Sequence, residues 1–151
     1  MNPALGGASG RLRALPTRLL GQVAILANRC TEKALAPTGS RRYHYALLAT
    51  LDEHGALSQA EAGRRTGIDR SDVAAAVNDL AGRGLVHRAP DPGDRRRNIL
   101  VLTPAGRAHL AELDERLEEA QRELLPGFSA AERAHLVLIL DRILESHTRA
   151  V

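Results

Sequence analysis

Three consecutive arginines, Arg95 to Arg97, lie between a proline-glycine pair and an apolar run in the segment DPGDRRRNILVLT. A guanidinium group carries a permanent charge and a planar set of donors, which suits it to phosphate oxygens and to the edge of guanine. Asp94 stands two residues before Arg96, so its carboxylate can hold that guanidinium in one orientation. The segment therefore predicts a positively charged recognition surface.

The charge of the chain is segregated along its length. The net charge is only +3, yet residues 64–97 contain eight arginines among five acidic residues, and residues 111–123 are acidic. Twenty of the 21 basic residues are arginine, which favours nucleic-acid contacts but would also follow from a GC-rich genome. Only two tyrosines and one phenylalanine could stack on unpaired bases, so duplex DNA is a better candidate than single strands or RNA.

Length and composition exclude several classes of protein. A chain of 151 residues has the usual size of one domain, and its single cysteine, Cys30, cannot form an internal disulfide. An apolar run such as Leu136 to Leu140 is too short to cross a bilayer, and the N-terminus does not resemble a signal sequence. We therefore expect a cytoplasmic protein. Phosphate loops, nucleophile elbows and metal-ligand clusters are not apparent, so we expect neither an enzyme nor a cofactor.

Periodic apolar residues predict two helices in the first third of the chain. Residues 1–10 are small and uncharged, which is typical of a flexible arm. A stripe with helical spacing then predicts a helix over about residues 14–32, with Pro16 in its first turn. A second stripe, from His44 to Leu51, predicts a helix that stops at Gly55.

Two capped helices follow at close spacing. Ser58 and Glu61 form a capping box, in which each side chain is expected to bind the other residue's amide. Asp69 can cap the next helix, whose buried face is predicted to contain Val73, Val77 and Leu80. The short glycine-containing link forces the helices to cross steeply, which is typical of a helix-turn-helix.

The remaining segments predict a β-hairpin and two further helices. The runs LVHRA and NILVL read as strands joined by an eight-residue loop, residues 90–97, with a type II turn at Asp91 to Asp94. Thr103 and Pro104 are typical of a helix start and open an acidic helix of about twenty residues. A second capping box at residues 129–132 starts the last helix.

The segment ALSQAEAGRRTGIDRSDVAAAVNDLAGRGLVHRAPDPGDRRRNILVLTPAGR resembles the DNA-binding core of the MarR family of bacterial transcription regulators. The wing pattern D-x-R followed by L-T-x-x-G is present at Asp94, Arg96, Leu102, Thr103 and Gly106. The resemblance covers residues 12–145. Two positions depart from the family pattern: Ala62 stands where leucine is usual, and His44 stands where glutamine is often found.

The resemblance implies a mainly α fold with a small β-hairpin. Residues 11–151 would form one domain, with a winged helix-turn-helix over about 40–103 and dimerisation helices over about 11–35 and 104–148. It also implies a sequence-specific regulator in the bacterial cytoplasm, at the nucleoid. As a homodimer it would bind a palindromic operator in double-stranded DNA, act as a repressor, and be released by a small ligand.

Candidate DNA-binding residues fall into three groups. On the recognition helix they point away from the predicted core, except that Asp72 is assigned either to cap support or to accepting from cytosine: Arg70, Ser71, Asp72, Ala74, Ala75 and Asn78. On the wing they are Asp94, Arg95, Arg96 and Arg97, and the resemblance makes Arg96 the residue inserted into the minor groove. Candidate phosphate contacts are Ser58, Gln59, Arg64, Arg65 and Arg88.

Other residues have two possible roles. His44 and Arg18 could bind a small aromatic or anionic effector, or be a core histidine and a surface arginine. Cys30 could sense peroxide, but a buried apolar role is favoured because no neighbour in the sequence clearly favours a reactive thiolate. His109 and Glu112 have the spacing of a metal pair, yet further ligands are missing, so we expect no metal. A winged-helix module that binds protein is the alternative to DNA binding.

Overall fold

A computed structural model of the chain describes Gly7 and residues 9–148. This part of the chain is mostly helical, and its three strands form one antiparallel sheet in the order β1-β3-β2. The predicted mainly α fold with a small β-hairpin is confirmed. The elements are α1 (Gly10–Arg13), α2 (Pro16–Leu35), a 3-10 turn (Ala36–Thr38), α3 (Arg42–His54), β1 (Leu57–Ser58), α4 (Gln59–Thr66), α5 (Arg70–Gly82), β2 (Val86–Asp91), β3 (Asp94–Leu102), α6 (Pro104–Leu124) and α7 (Ala130–Thr148).

The first helix begins at Gly10, which the sequence assigned to an N-terminal arm. Residues 1–6 and 8 of the predicted arm lie outside the described residues. The Ser9 hydroxyl accepts a hydrogen bond from the Leu12 amide, which caps α1 and places Gly10 in a helix. Pro16 is the first residue of α2, as predicted, because its missing N–H costs nothing there. The helix ends at Leu35, three residues beyond the predicted end at residue 32.

The core lies where α3, α5 and the hairpin meet. Leu47, Leu48 and Leu51 on α3 are almost completely buried, as are Val77 and Leu80 on α5. Each buried aliphatic side chain stabilises the fold by about 1.5 to 3 kcal/mol relative to an exposed one. The apolar faces predicted for both helices are confirmed.

A three-residue link joins α4 to α5, and the two helices pack against each other. Gly67 adopts a φ of +67°, a left-handed conformation that glycine accepts without strain, and this ends α4. The Asp69 carboxylate then accepts hydrogen bonds from the Ser71 amide and hydroxyl, which starts α5. Ala62 of α4 is completely buried beside this link. The predicted helix-turn-helix is confirmed.

Only one half of the capping box at α4 forms. The Ser58 hydroxyl accepts from the Glu61 amide over 3.1 Å, as predicted. The Glu61 carboxylate does not turn back to Ser58 but forms ion pairs with Arg64 and Arg65. Two guanidinium groups one turn along the helix compete for the carboxylate, while the Ser58 backbone is engaged in the sheet opposite Ile99.

The hairpin differs from the sequence prediction in its length. The predicted eight-residue loop, residues 90–97, is wrong, because β2 continues to Asp91 and β3 begins at Asp94. Pro90 pairs with Asn98 across the hairpin, and the register shifts between Pro90 and Asp91. A proline is compatible with β2 because this strand lies at the edge of the sheet. Arg95, Arg96 and Arg97 therefore lie on a strand rather than in a loop.

The turn at the tip is also not the predicted type II turn. Gly93 does not have the positive φ that such a turn requires at this position. Instead, the Asp91 carboxylate accepts a hydrogen bond of 2.9 Å from the Gly93 amide. An Asx turn of this kind reverses the chain with a side chain in place of a backbone carbonyl.

Gly106 allows the hairpin to lie directly against the start of α6. The Thr103 hydroxyl accepts from the Gly106 amide over 2.9 Å and donates toward the carbonyls of Gly84 and Leu85. A Cβ atom added to Gly106 would overlap the Leu85 carbonyl oxygen and approach the Leu102 side chain to 2.7 Å. This contact explains why the wing pattern ends in glycine.

The terminal helices carry most of the exposed apolar surface. Helix α2 packs against α6, whereas the described residues of α7 include none that is buried. Across the described residues, no helix combines the length and the apolar composition needed to cross a bilayer. Large exposed apolar side chains on these helices are Leu20, Val23, Ile25, Leu26, Val137, Leu138, Ile139, Leu140, Ile143 and Leu144.

We expect Gly106→Ala to destabilise the protein by about 1 to 3 kcal/mol, because the added methyl group must displace a backbone carbonyl. Gly82→Ala is the matched control: a Cβ there meets nothing within 4 Å, so we expect it to be neutral or stabilising by about 0.5 to 1 kcal/mol. Urea unfolding followed by circular dichroism measures both. Equal stability of the two variants would contradict the close approach of the hairpin and α6.

Candidate nucleic-acid interface

The outward face of α5 is small and polar. Burial of Val73 and Val77 sets the rotation of the helix, so Ser71 and Asn78 are exposed on its other side, and Arg70 is exposed as the first residue of the helix. Ala75 is exposed as well, whereas Ala74 is half-buried. A face of alanine and serine allows a helix backbone to approach the floor of the DNA major groove closely.

Asp72 lies on the flank of α5 that borders a cavity, and the candidate Ala75 stands at the edge of the same cavity. Asp72 lines this cavity together with Ala75, Ala76 and Asp79, on the side of the helix that faces α2 and the start of α3. Its carboxylate is therefore turned toward the cleft between the helices. The sequence assigns Asp72 either to support of the helix cap or to a base contact. In the structure Asp69 supplies the cap of α5.

Asp94 orients Arg96 on the hairpin. Its carboxylate accepts a hydrogen bond of 3.1 Å from the Arg96 amide and lies 3.4 Å from the guanidinium Nε. The Arg96 side chain is nevertheless 92% exposed, so its positive charge is accessible to solvent although it lies close to Asp94. Arg95 and Arg97 are exposed on the same strand. The contact expected between Asp94 and Arg96 is present.

A contact between the hairpin and α5 was not predicted. The Arg88 guanidinium on β2 donates to the Asn78 carboxamide oxygen over 2.6 Å. Both residues are exposed, and they lie on different elements. The two side chains meet because the hairpin packs beside α5. The residues next to Arg88 and Asn78 in the sequence do not predict this packing.

The candidate phosphate contacts lie around α4. Ser58 caps this helix and Gln59 is its first residue, so both stand at the positive end of its dipole. Arg64 and Arg65 are exposed and share the Glu61 carboxylate, which lies 2.9 Å from the Arg65 Nε. Exposed ion pairs of this kind contribute about 0 to 1 kcal/mol, so either arginine can exchange the carboxylate for a phosphate.

A polar cluster joins the end of α5 to the segment that follows α2 and to α6. The Arg83 guanidinium donates to the Thr38 carbonyl over 3.1 Å and to the Ser40 hydroxyl over 3.0 Å. That hydroxyl lies 2.7 Å from His109 Nε2, and the second nitrogen of His109 lies 3.7 Å from Glu112. His109 and Glu112 are thus in contact, as their spacing indicated. Among the described residues, however, no three His, Cys, Asp or Glu side chains are arranged to hold a metal.

The cavity beside Asp72 has a volume of about 1020 Å³. Leu35, Ser40 and His44 line it opposite α5. Its charged lining residues are Arg41 and Arg42, which are positive, and Glu32, Asp72 and Asp79, which are negative. Arg18 is not among its lining residues, and its guanidinium donates to the Leu12 carbonyl. The first lining residue of α2 is Asn28, which comes ten residues after Arg18 and lies about 15 Å from it along the helix axis. Within one chain the two effector candidates are therefore not brought together.

His44 is held neutral by its surroundings. The Arg41 amide donates to its Nδ1 over 2.8 Å, so that nitrogen carries no proton, and Nε2 lies 3.0 Å from Asp79. Burial lowers the pKa of His44; the Asp79 carboxylate opposes this shift, and Arg83 adds to it. Burial likewise lowers the pKa of His109, again with a contribution from Arg83. Protonation of Nδ1 would break the hydrogen bond at the start of α3.

Cys30 is half-buried and lies in a small groove with Lys33 and Glu123. The Lys33 ammonium is bonded to Glu123 over 2.9 Å, so its charge is already paired. The sequence prediction of an apolar role for Cys30 stays a prediction.

Comparison with known proteins shows related regulators. The model of the MarR family matches residues 38–97, which include α3, α4, α5 and the tip of the hairpin. The chain is 32% identical over 106 residues to the HTH-type transcriptional repressor NicR of Pseudomonas putida. That alignment covers 70% of this chain and 67% of NicR.

Two solved structures have the same architecture over most of their length. The transcriptional repressor CouR bound to a 23-mer DNA duplex is 30% identical, with a TM-score of 0.78 over 89% of this chain and 96% of CouR. BpsR of Bordetella bronchiseptica, whose DNA binding is regulated by 6-hydroxynicotinic acid, is 25% identical, with a TM-score of 0.77 over 86% of this chain and 93% of BpsR. NicR and CouR are named as transcriptional repressors, and CouR and BpsR bind DNA. These relatives therefore do not favour the protein-binding alternative.

We expect the free energy of unfolding to fall between about pH 7.5 and about pH 5.5. The folded state holds His44 neutral, so below about pH 6.5 the unfolded chain binds more protons, and acidification favours it. The stabilisation is complete above that pH and is lost as the pH falls toward the lowered pKa.

His44→Gln should reduce this pH dependence without abolishing it, because His109 contributes with the same sign. His87→Gln, at an exposed histidine on β2, is the control and should leave the dependence unchanged. Urea unfolding at several pH values measures the slope. The same slope in wild type and His44→Gln would show that His44 is not held neutral.

Proposed function

The chain belongs to the MarR family and is a DNA-binding transcription regulator, and we propose that it is a repressor that binds a palindromic operator as a homodimer. The observation that carries this proposal is the pairing of two surfaces on one winged domain: the small outward face of α5 and the 92% exposed Arg96 on the hairpin. The first fits the major groove of duplex DNA, and the second fits the adjacent minor groove.

In this proposal α5 reads bases and the hairpin reads groove shape. Arg70, Ser71 and Asn78 are exposed and polar, and Ala74 and Ala75 provide methyl groups for contact with thymine. Arg96 enters the minor groove, where a narrow A·T-rich segment concentrates negative potential. Asp72 faces the cavity and is assigned to the cleft rather than to the groove.

The phosphate backbone is contacted by residues around the reading surfaces. Exposed guanidinium groups and the N-terminal amides of α4 neutralise phosphate charge and fix the register of the protein on DNA. The residues assigned to this role are Ser58, Gln59, Arg64, Arg65, Arg88, Arg95 and Arg97.

The dimer is proposed from the exposed apolar side chains of α2 and α7. Ile25 is 60% exposed, Leu138 62% and Leu144 68%, although each lies on a long regular helix. Large apolar side chains exposed in such number on two helices mark an interface. Residues 11–35 and 104–148 would then form the dimerisation helices, and residues 40–103 the winged domain.

A small ligand is proposed to regulate DNA binding from the cavity beside His44. This cavity lies between α5 on one side and α2 and α3 on the other. An occupant that holds these helices apart would change the distance between the two α5 helices of the dimer. Arg41 and Arg42 offer positive charge for the anionic group of a small aromatic molecule. That group would have to lie at these two arginines, because Glu32, Asp72 and Asp79 make the rest of the lining acidic. Arg18 remains a proposed contact only through the partner subunit or a movement of α2. Such a repressor would act in the bacterial cytoplasm, at the nucleoid.

The binding of selected duplexes tests the DNA-binding part of the proposal. Duplexes enriched from a random-sequence pool by the wild-type protein are labelled, and affinity is measured by fluorescence anisotropy. With six to ten phosphate contacts, the affinity should fall by about 10³ to 10⁵ between about 50 and 200 mM salt. Enrichment of no duplex, or an affinity independent of salt, would contradict it.

Arg96→Ala should weaken binding to every selected duplex, most of all to those with A·T-rich flanks, because the narrow groove attracts this charge. Asp94→Ala should give a milder form of the same defect, since it releases the guanidinium without removing it. Affinities for A·T-rich and G·C-rich flanks measure both. Tighter binding by Asp94→Ala would mean that Asp94 only repels phosphate and does not orient Arg96.

In sedimentation velocity experiments we expect a single species of twice the 16.3 kDa chain mass at micromolar concentration. Leu144→Glu should raise the dissociation constant about tenfold or more, because it would bury an unpaired charge in the interface. Ala56→Glu, at an exposed position in the winged part of the chain, is the control and should leave the dimer intact. A folded wild-type monomer would contradict the dimer.

A further inference from the structure

We propose that Arg88 is a positioning residue that determines base specificity: it fixes the carboxamide of Asn78 so that this side chain presents a hydrogen-bond donor to DNA. The inference rests on the proposed function and changes the role of Arg88 from a general phosphate contact to a partner of the base-reading residue. It is carried by the bond of 2.6 Å from Arg88 Nη2 to Asn78 Oδ1.

The bond fixes which end of the carboxamide faces the guanidinium. An asparagine side chain has one acceptor oxygen and one donor amino group, and a guanidinium group has only donors. Rotation of the amide by half a turn would oppose donor to donor, so a charge-assisted bond strongly favours one orientation. The Asn78 amino group is therefore turned away from Arg88.

Arg88 is well placed to hold this orientation. Its backbone is paired with Leu100 in the sheet, and the neighbouring strand residue Val86 is buried in the core. Asn78 lies one residue after the buried Val77, so its backbone is equally fixed. Two rigid elements thus hold the two side chains together before DNA binds, which reduces the entropy lost on binding.

The orientation has a consequence for base recognition. Asparagine reads adenine with its oxygen accepting from N6 and its amino group donating to N7. In this protein one of the two lone pairs of the oxygen is used by Arg88, and an adenine N6 donor approaching the other would also meet the positive guanidinium group and its donors. The groups of the pair that remain free to bind are the Asn78 amino group and further guanidinium donors. A surface of donors matches a base edge of acceptors, and guanine offers two, O6 and N7. We therefore expect Asn78 and Arg88 together to select guanine rather than adenine.

The experiment uses the full-length protein and duplexes selected by it from a random-sequence pool. Each position of one selected duplex is replaced by every other base pair, and the affinity of wild type and Asn78→Ala is measured for each. The position where Asn78→Ala loses discrimination is the one that Asn78 reads. Wild type should prefer guanine there, and replacement by 7-deazaguanine should weaken binding about tenfold.

Three variants on the hairpin then separate positioning from charge. Arg88→Ala should lose the preference for guanine at that position and accept adenine as well, whereas Arg88→Lys, which keeps a charged donor, should retain most of the preference. Arg95→Ala removes the same charge from the same hairpin and should weaken all duplexes alike. Each variant changes an exposed side chain, and an unchanged melting temperature verifies its fold.

Two results would overturn the inference while leaving DNA binding intact. One is a wild-type preference for adenine at the position that Asn78 reads. The other is an equal loss of affinity for all duplexes in Arg88→Ala and Arg95→Ala, which would make Arg88 a phosphate contact only. Enrichment of no duplex by wild type would instead refute the proposed function, and the inference with it.

Discussion

The burial of one face of α5 against α3 is the interaction on which the reading surface depends. Val73, Val77 and Leu80 are almost completely buried, so the helix can adopt only one rotation about its axis. Rotation of the helix about its axis by the angle between successive residues, about 100°, would expose this apolar stripe to solvent. The free-energy cost would be about 1.5 to 3 kcal/mol for each side chain. Hydrophobic packing inside the domain therefore decides which polar residues face outward.

The same rotation divides α5 between two tasks. One flank, with Asn78, meets the hairpin, and the opposite flank, with Asp72 and Asp79, borders the cavity. The end of the helix is tied by Arg83 to the segment that follows α2. A molecule in the cavity would thus act on the helix that is proposed to read DNA, and it would meet the reading surface only at its edge, at Ala75.

Local chemistry predicted the helices, their caps and the face of α5, because each depends on residues within one or two turns. The wing contact of Asp94 with Arg96 was predictable for the same reason. The length of the hairpin was not, since strand pairing beyond Pro90 depends on tertiary packing rather than on propensity. The contact of Arg88 with Asn78 and the separation of Arg18 from His44 are also set by how distant elements pack.

The central claim is that the outward face of α5 lies in the groove of bound DNA. A thiol introduced by Ala75→Cys in a Cys30→Ser background tests it through the rate of alkylation with and without a selected duplex. We predict strong protection of this thiol by DNA and no protection of one introduced by Ala111→Cys on the exposed side of α6. An unchanged alkylation rate at position 75 in a saturated complex would contradict the account.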